Sequence, residues 1–176
     1  MLSWHPTFVD DLTDAVRGIT FWKNYLQDLR DQESTPFAIH LAIFVEPFLQ
    51  YVLDGKKTIE SRFSSVRCAP FERVGRGDVV LLKKAGGPVV GVCQIRNAWF
   101  YNLEEDSWDE IKGFAREICA EDPSFWQTRE GASFATLMRI QHVNKIDPIR
   151  LPKRDRRGWV VLKGASQQLS LKAGTV

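Results

Sequence analysis

The stretch YVLDGKKTIESRFS, Tyr51 to Ser64, decides how the rest of the chain is read. A short apolar run ends at Gly55, a natural stop for a helix because glycine tolerates the left-handed backbone found there. The residues after it alternate as in a strand, where successive side chains point to opposite faces. Ile59, Ser61 and Phe63 share one face, which Ile59 and Phe63 assign to the core. Thr58, Glu60 and Arg62 share the other, with Lys57 at the junction where the chain is still turning. The spacing lines up a hydroxyl, a carboxylate and a guanidinium, with an ammonium at the lip.

Upstream, FAIHLAIFVE (37–46) is rich in β-formers and reads as a buried strand. Pro47 suits the first turn of the helix that leads to Gly55. Further upstream, residues 7–33 place Phe8, Leu12, Ala15, Ile19, Trp22, Leu26 and Leu29 on one helical stripe. Thr7 is a cap for its start, and Gly18 is a point at which the run divides into two helices. We expect residues 1–36 to form a helical extension covering the main domain, with a partner-binding helix as the lesser alternative.

Downstream, the GRGD turn (75–78) precedes a third strand, VVLLKKA, and Gly86, Gly87 and Pro88 connect it to a long fourth, VVGVCQIRNAWFY. Residues 107–122 are helical in pattern, with Ser107 and Glu110 as a capping box. A short helix follows over 123–133. FATLMRIQHVNKID (134–147) returns to strand, and GWVVLKG (158–164) is the last element. The tail, 165–176, is polar and expected to fray. The fold class is therefore α+β, a small and mostly antiparallel barrel with peripheral helices. No strand–GxGxxG–helix or Walker segment is present, which argues against a dinucleotide or P-loop fold.

Two readings of the charged face remain open on the residues alone. It can be an ion-pair ladder on an exposed strand, contributing about 0.2–1 kcal/mol per pair. Or it can be a ligand site, with Lys57 and Arg62 holding an anion and Glu60 accepting from an amino group on a base or acting as a general base.

The segment resembles the ASCH domain family, whose signature GxKxxExR is met by Gly55, Lys57, Glu60 and Arg62. The flanks fit as well: an apolar strand, the Pro47–Phe48 pair, the Gly77–Asp78 turn and the closing GWVVL (158–162), so the resemblance covers residues 37–164. It implies a PUA-like β-barrel whose cleft is lined by the signature residues. Members are mostly regarded as RNA- or nucleotide-binding modules; some cleave RNA, and small bacterial relatives deacetylate acetylcytidine. In those deacetylases a threonine three residues after the lysine is the nucleophile. Here that position holds Glu60, and Thr58 is displaced by two, so the mechanism does not carry over. The leading expectation is an RNA- or nucleotide-binding module. The alternatives are a hydrolase using Lys57 and Glu60 as acid/base groups, and a protein-interaction adaptor working through the N-terminal helices.

Composition sets the outer bounds. The 176 residues suit one core, and 44% hydrophobic with 26% charged residues is ordinary for a globular protein. No apolar run approaches a bilayer span, and Asp10, Asp11 and Asp14 stand where a signal peptide would be basic and then apolar, so a cytoplasmic location is expected. Cys68, Cys93 and Cys119 form no CxxC pair, and His5, His40 and His142 are scattered, so neither a metal nor a cofactor is expected. The net charge is only +2, but Lys and Arg crowd 56–84 and 153–157, enough for a basic face. Among weaker candidates, one of Lys83 and Lys84 can face the cleft, Arg96 and Arg139 can reach into a groove, and Arg154 and Arg157 in the basic turn KRDRRGW (153–159) suit phosphate contact. Trp99, Phe100 and Tyr101 can stack bases, although consecutive strand residues must divide between faces. His40, in an apolar strand, reads as a core histidine.

Overall fold

The computed structural model describes residues 4–31, 34–152 and 156–166. In chain order the elements are α1 (Pro6–Ala15), α2 (Thr20–Tyr25), β1 (Ile39–Phe44), α3 (Phe48–Leu53), β2 (Ile59–Ser64), β3 (Val79–Lys84), β4 (Val89–Asn102), α4 (Glu105–Lys112), α5 (Ala115–Ile118), α6 (Pro123–Gln127), β5 (Phe134–Ile149) and β6 (Trp159–Lys163). The six strands make one sheet in the order β2-β5-β4-β3-β1-β6. Every neighbouring pair is antiparallel except β1 with β3. The sheet curls into a half-barrel, so that Arg62 on β2 at one edge reaches backbone at the other.

β1 is apolar on both faces because both are covered. Ile39 and Leu41 join a cluster with Leu12, Trp22 and Leu26 of the N-terminal segment, while Ala42 and Phe44 join the barrel interior with Val80, Leu82, Ile95 and Met138. The N-terminal helices are thus one wall of the core. Their stripe is spent on this chain's own sheet, so a partner would meet their polar faces. Trp22 anchors them, donating through Nε1 to the His142 carbonyl at 3.0 Å and to Asn144 Oδ1 at 3.1 Å. The break between α1 and α2 spans residues 16–19 and includes Gly18.

α4, α5 and α6 are inserted at the tip of the long β4–β5 hairpin, whose last pair is Asn102 with Phe134. They cover a third cluster of Ile59, Ile111, Ile118, Ala120, Ala135 and Leu137.

Three helix starts differ from the sequence reading. α1 begins at Pro6 with His5 in the cap position, since proline lacks the N–H that a capped first turn leaves over. Pro47 takes the cap position of α3 rather than its first helical one. α4 begins at Glu105, with Ser107 already inside the helix and donating to the Asn102 carbonyl. Glu105 and Asp106 suit the positive end of the helix dipole, which favours the earlier start.

His40 is the core histidine the sequence suggested. Trp159 Nε1 donates to its Nδ1 at 3.1 Å, which leaves Nε2 to donate to Asp78 Oδ2 at 3.0 Å. Asp78 also accepts from the Ala38 and Gly75 amides, at 2.8 and 2.7 Å. One carboxylate therefore ties the GRGD turn to the start of β1. At the C-terminal end, the Ser166 amide donates to the Thr35 carbonyl at 2.8 Å. Among the described residues no helix is long and apolar enough to cross a membrane.

Candidate functional site

The backbone turns sharply after α3 through Gly55, at φ +74°, and the Lys57 amide donates back to the Tyr51 carbonyl at 2.9 Å. This turn sends Lys57 inward. Its side chain was expected at the lip, yet the residue is only 3% exposed. The reason is the helical insertion, which the sequence reading did not place over β2. Lys57 Nζ donates to the Ile118 carbonyl at the end of α5 at 2.8 Å, and the Thr58 amide donates to the Glu117 carbonyl at 3.0 Å. The insertion is stitched to the turn before β2 at two successive residues.

Glu60 is 6% exposed, so the face it shares with Arg62 is not a solvated ladder. Its Oε1 accepts from Arg62 Nε at 2.7 Å. Its Oε2 lies 3.4 Å from Lys57 Nζ but, among the described residues, has no hydrogen-bond partner. A buried carboxylate oxygen in that condition is costly unless something donates to it. Arg62 reaches further, giving Nη1 to the Gly158 carbonyl at 3.1 Å and Nη2 to the Ile43 carbonyl at 3.0 Å. Its guanidinium lies 5.0 Å from the Phe44 ring and 5.4 Å from the Trp159 ring.

These groups line a cleft of about 380 Å³ at the barrel seam. β1 and its end supply Ile43, Phe44 and Val45, and α3 supplies Phe48. Lys57, Glu60, Ser61, Arg62 and Phe63 come from β2 and the turn before it, and Phe125, Thr128 and Arg129 from α6 and its C-terminal end. Phe63 and Ser61 were assigned to the core face. Both are half-buried and line the cleft, because β2 is an edge strand and the cleft wraps around it. Phe63 also stacks on Trp108 of α4, with ring centroids 5.8 Å apart.

Burial pulls the Lys57 ammonium below its ordinary value, against the pull of Glu60. Burial likewise lowers Arg129; Glu60 opposes that shift and Arg62 reinforces it. Lys57 and Arg62 pair with Glu60 directly, and Arg129 shares the cleft wall with them.

The other sequence candidates do not join this cleft. Thr58 is held by its backbone, and its side chain is absent from the cleft wall. Lys83 donates to the Gly87 carbonyl within its own turn and lines a separate surface cavity of about 770 Å³ with Arg150. Lys84 and Arg96 are exposed and line neither cavity. Arg157 is exposed outside the cleft wall, and Arg154 lies outside the described residues. Arg139 sits 5.9 Å from the Trp99 ring. Trp99 stacks on Phe114, Phe100 packs edge-on against Phe71, and Tyr101 donates to Glu110, so the three aromatics are occupied separately.

The sequence reading missed Phe125 and Arg129. A signal was present: the two are four apart in PSFWQTREG, the spacing that sets a cation over an aromatic ring on a helix. The guanidinium lies 3.5 Å from the Phe125 centroid.

No family model matches the sequence, and no curated protein matches it. Solved structures do. The crystal structure of ASCH from Zymomonas mobilis aligns with a TM-score of 0.56 at 17% identity, covering 72% of this chain and 88% of that one. Two mutant forms of the Z. mobilis protein align with TM-scores of 0.54 and 0.52, at 13% and 14% identity, covering 73% and 72% of this chain and 91% of each of theirs. Identities this low carry the fold alone, and the six-stranded half-barrel described above is an ASCH-like fold.

Proposed function

We propose that the seam cleft binds a nucleobase-bearing ligand, a nucleotide or a segment of RNA. The observation that carries this reading is Glu60 Oε2, a buried acceptor that has no hydrogen-bond donor among the described residues, in a cleft walled by Phe44, Phe48, Phe63 and Phe125. An exocyclic amine of cytosine or adenine supplies the missing donor, and the aromatic walls suit the faces of a flat heterocycle. In this reading Arg62 and Lys57 hold the carboxylate in place from two sides.

Calorimetric titration with cytidine, adenosine, uridine and short single-stranded RNAs tests it. The amine-bearing bases are expected to bind best, and Glu60→Gln is expected to weaken them by roughly 10–100-fold, the value of a hydrogen bond to a charged group. RNA affinity is expected to fall with salt as counterions are released. A wild-type protein that binds none of these ligands ends the reading.

One observation favours a second reading, hydrolysis of RNA or of a modified nucleoside. Lys57 is buried beside Glu60 with its pKa lowered, which moves an amine toward general-base duty. Turnover of RNA or N-acetylcytidine by the wild type, abolished in Glu60→Gln, is the expected result; a protein inert toward both substrates rejects it.

A further inference from the structure

The cations of the cleft are not equally available. Arg62 has all three of its nitrogens engaged, on Glu60, Gly158 and Ile43. Lys57 is committed to the Ile118 carbonyl and to Glu60. Arg129 differs. Its Nη1 donates to the Phe125 carbonyl at 2.6 Å and to Thr128 Oγ1 at 3.0 Å, while among the described residues Nε and Nη2 make no hydrogen bond. The guanidinium is half-buried, held on the Phe125 ring, and 5.7 Å from the Phe63 ring. Among the described residues of the cleft wall, Lys57, Arg62 and Arg129 accompany one carboxylate, Glu60, a formal excess of two positive charges. Repulsion between two guanidiniums in a desolvated site is relieved by an anion.

We infer that Arg129 forms a phosphate subsite at the α6 wall of the cleft, so that the preferred ligand is a nucleoside phosphate and not a free nucleoside. This rests on the nucleobase reading above, with the base at Glu60 and the phosphate at the free edge of Arg129. A guanidinium suits the task because its fork presents two parallel donors to phosphate oxygens. Fixing the guanidinium on Phe125 lowers the ordering cost of that contact.

The test is the ratio of monophosphate to nucleoside affinity, measured by calorimetry at fixed salt. Cytidine and adenosine are compared with their 5′- and 3′-monophosphates. In the wild type the phosphate is expected to improve binding by about tenfold or more, the scale of one charge-assisted contact. In Arg129→Gln the ratio is expected to fall to about twofold or less, and in Arg129→Lys, which keeps the charge but loses the fork, to an intermediate value. The Lys variant keeps the test open if the Gln variant folds poorly. A ratio unchanged in both variants overturns the subsite. So does a wild type that binds nucleosides and monophosphates alike, while leaving the nucleobase reading intact. Failure to bind either ligand class overturns both.

Discussion

Arg62 on β2 donates through Nη2 to the carbonyl of Ile43 on β1 at 3.0 Å, although the two strands are first and fifth in the sheet order. The neighbouring Nη1 donates to Gly158, just before β6. One side chain therefore closes the open seam of the half-barrel and also bonds the cleft carboxylate Glu60.

Replacing Arg62 with alanine is expected to lower stability by about 3 kcal/mol. The change leaves Glu60 paired only with Lys57 and removes the Arg62 donor from the Ile43 and Gly158 carbonyls, of which Gly158 keeps the Ile43 amide at 3.0 Å; losing one partner of a buried pair is expensive. Arg62→Lys should recover only part of this. A guanidinium chloride titration measures it through the midpoint at constant slope. A midpoint within experimental error of the wild type would show that the seam does not depend on Arg62.

Lys57 makes a pH-dependent prediction. Burial lowers its folded-state pKa from the ordinary 10.5. Between the lowered value and 10.5 the unfolded chain binds more protons than the folded one, so stability contributed by this site rises with pH in that window. Lys57→Met is expected to cost about 1–3 kcal/mol near pH 7 through the stranded Ile118 carbonyl and the broken ion pair. The stability gap between wild type and variant should widen as pH rises and level off above 10.5. Groups common to both proteins, such as Tyr25 and Tyr101, cancel in that difference. A gap that narrows over the same window would contradict the assignment.

The Asp78 latch should rank above its neighbour Trp159. Asp78→Ala strands the Ala38 and Gly75 amides together with His40 Nε2, whereas Trp159→Phe strands only His40 Nδ1. The expected losses are about 3–5 kcal/mol and about 1–3 kcal/mol, since each stranded buried group carries its own desolvation cost. Thermal melts of the two variants check the order.

Removing residues 1–31 should cost the fold, not merely a binding surface. Ile39, Leu41, Val79, Leu81 and Val92 would lose the helices that cover them. Loss of the near-ultraviolet circular dichroism signal with gain of dye binding is the expected outcome. A truncated chain with a native spectrum would show instead that the sheet stands without its N-terminal wall.

The local elements were legible in the sequence because their causes are local. β1 announces itself by a continuous apolar run, β2 by alternation after Gly55, and α1 and α2 by a helical stripe that breaks around Gly18. The helix starts were less legible, because proline at Pro6 and acidic residues at Glu105 and Asp106 competed with the hydroxyl caps the sequence also offered. The cleft was half legible. Alternation and the GxKxxExR spacing brought out Lys57, Glu60 and Arg62. They left open whether these were solvated or buried, and said nothing of Arg129, which lies 67 positions beyond Arg62 in the chain.

By itself, then, the sequence determined which residues alternate, where helices stop and which charged groups share an edge, all matters of backbone period and turn chemistry within a few residues. The tertiary structure decided what those charged groups do. Burial of Lys57 depends on an insertion that begins only at Glu105. The reach of Arg62 depends on the curl of the whole sheet, which brings Ile43 and Gly158 to it. A side chain's charge is written at its own position; its solvation and its partners are set by whatever the rest of the chain packs around it.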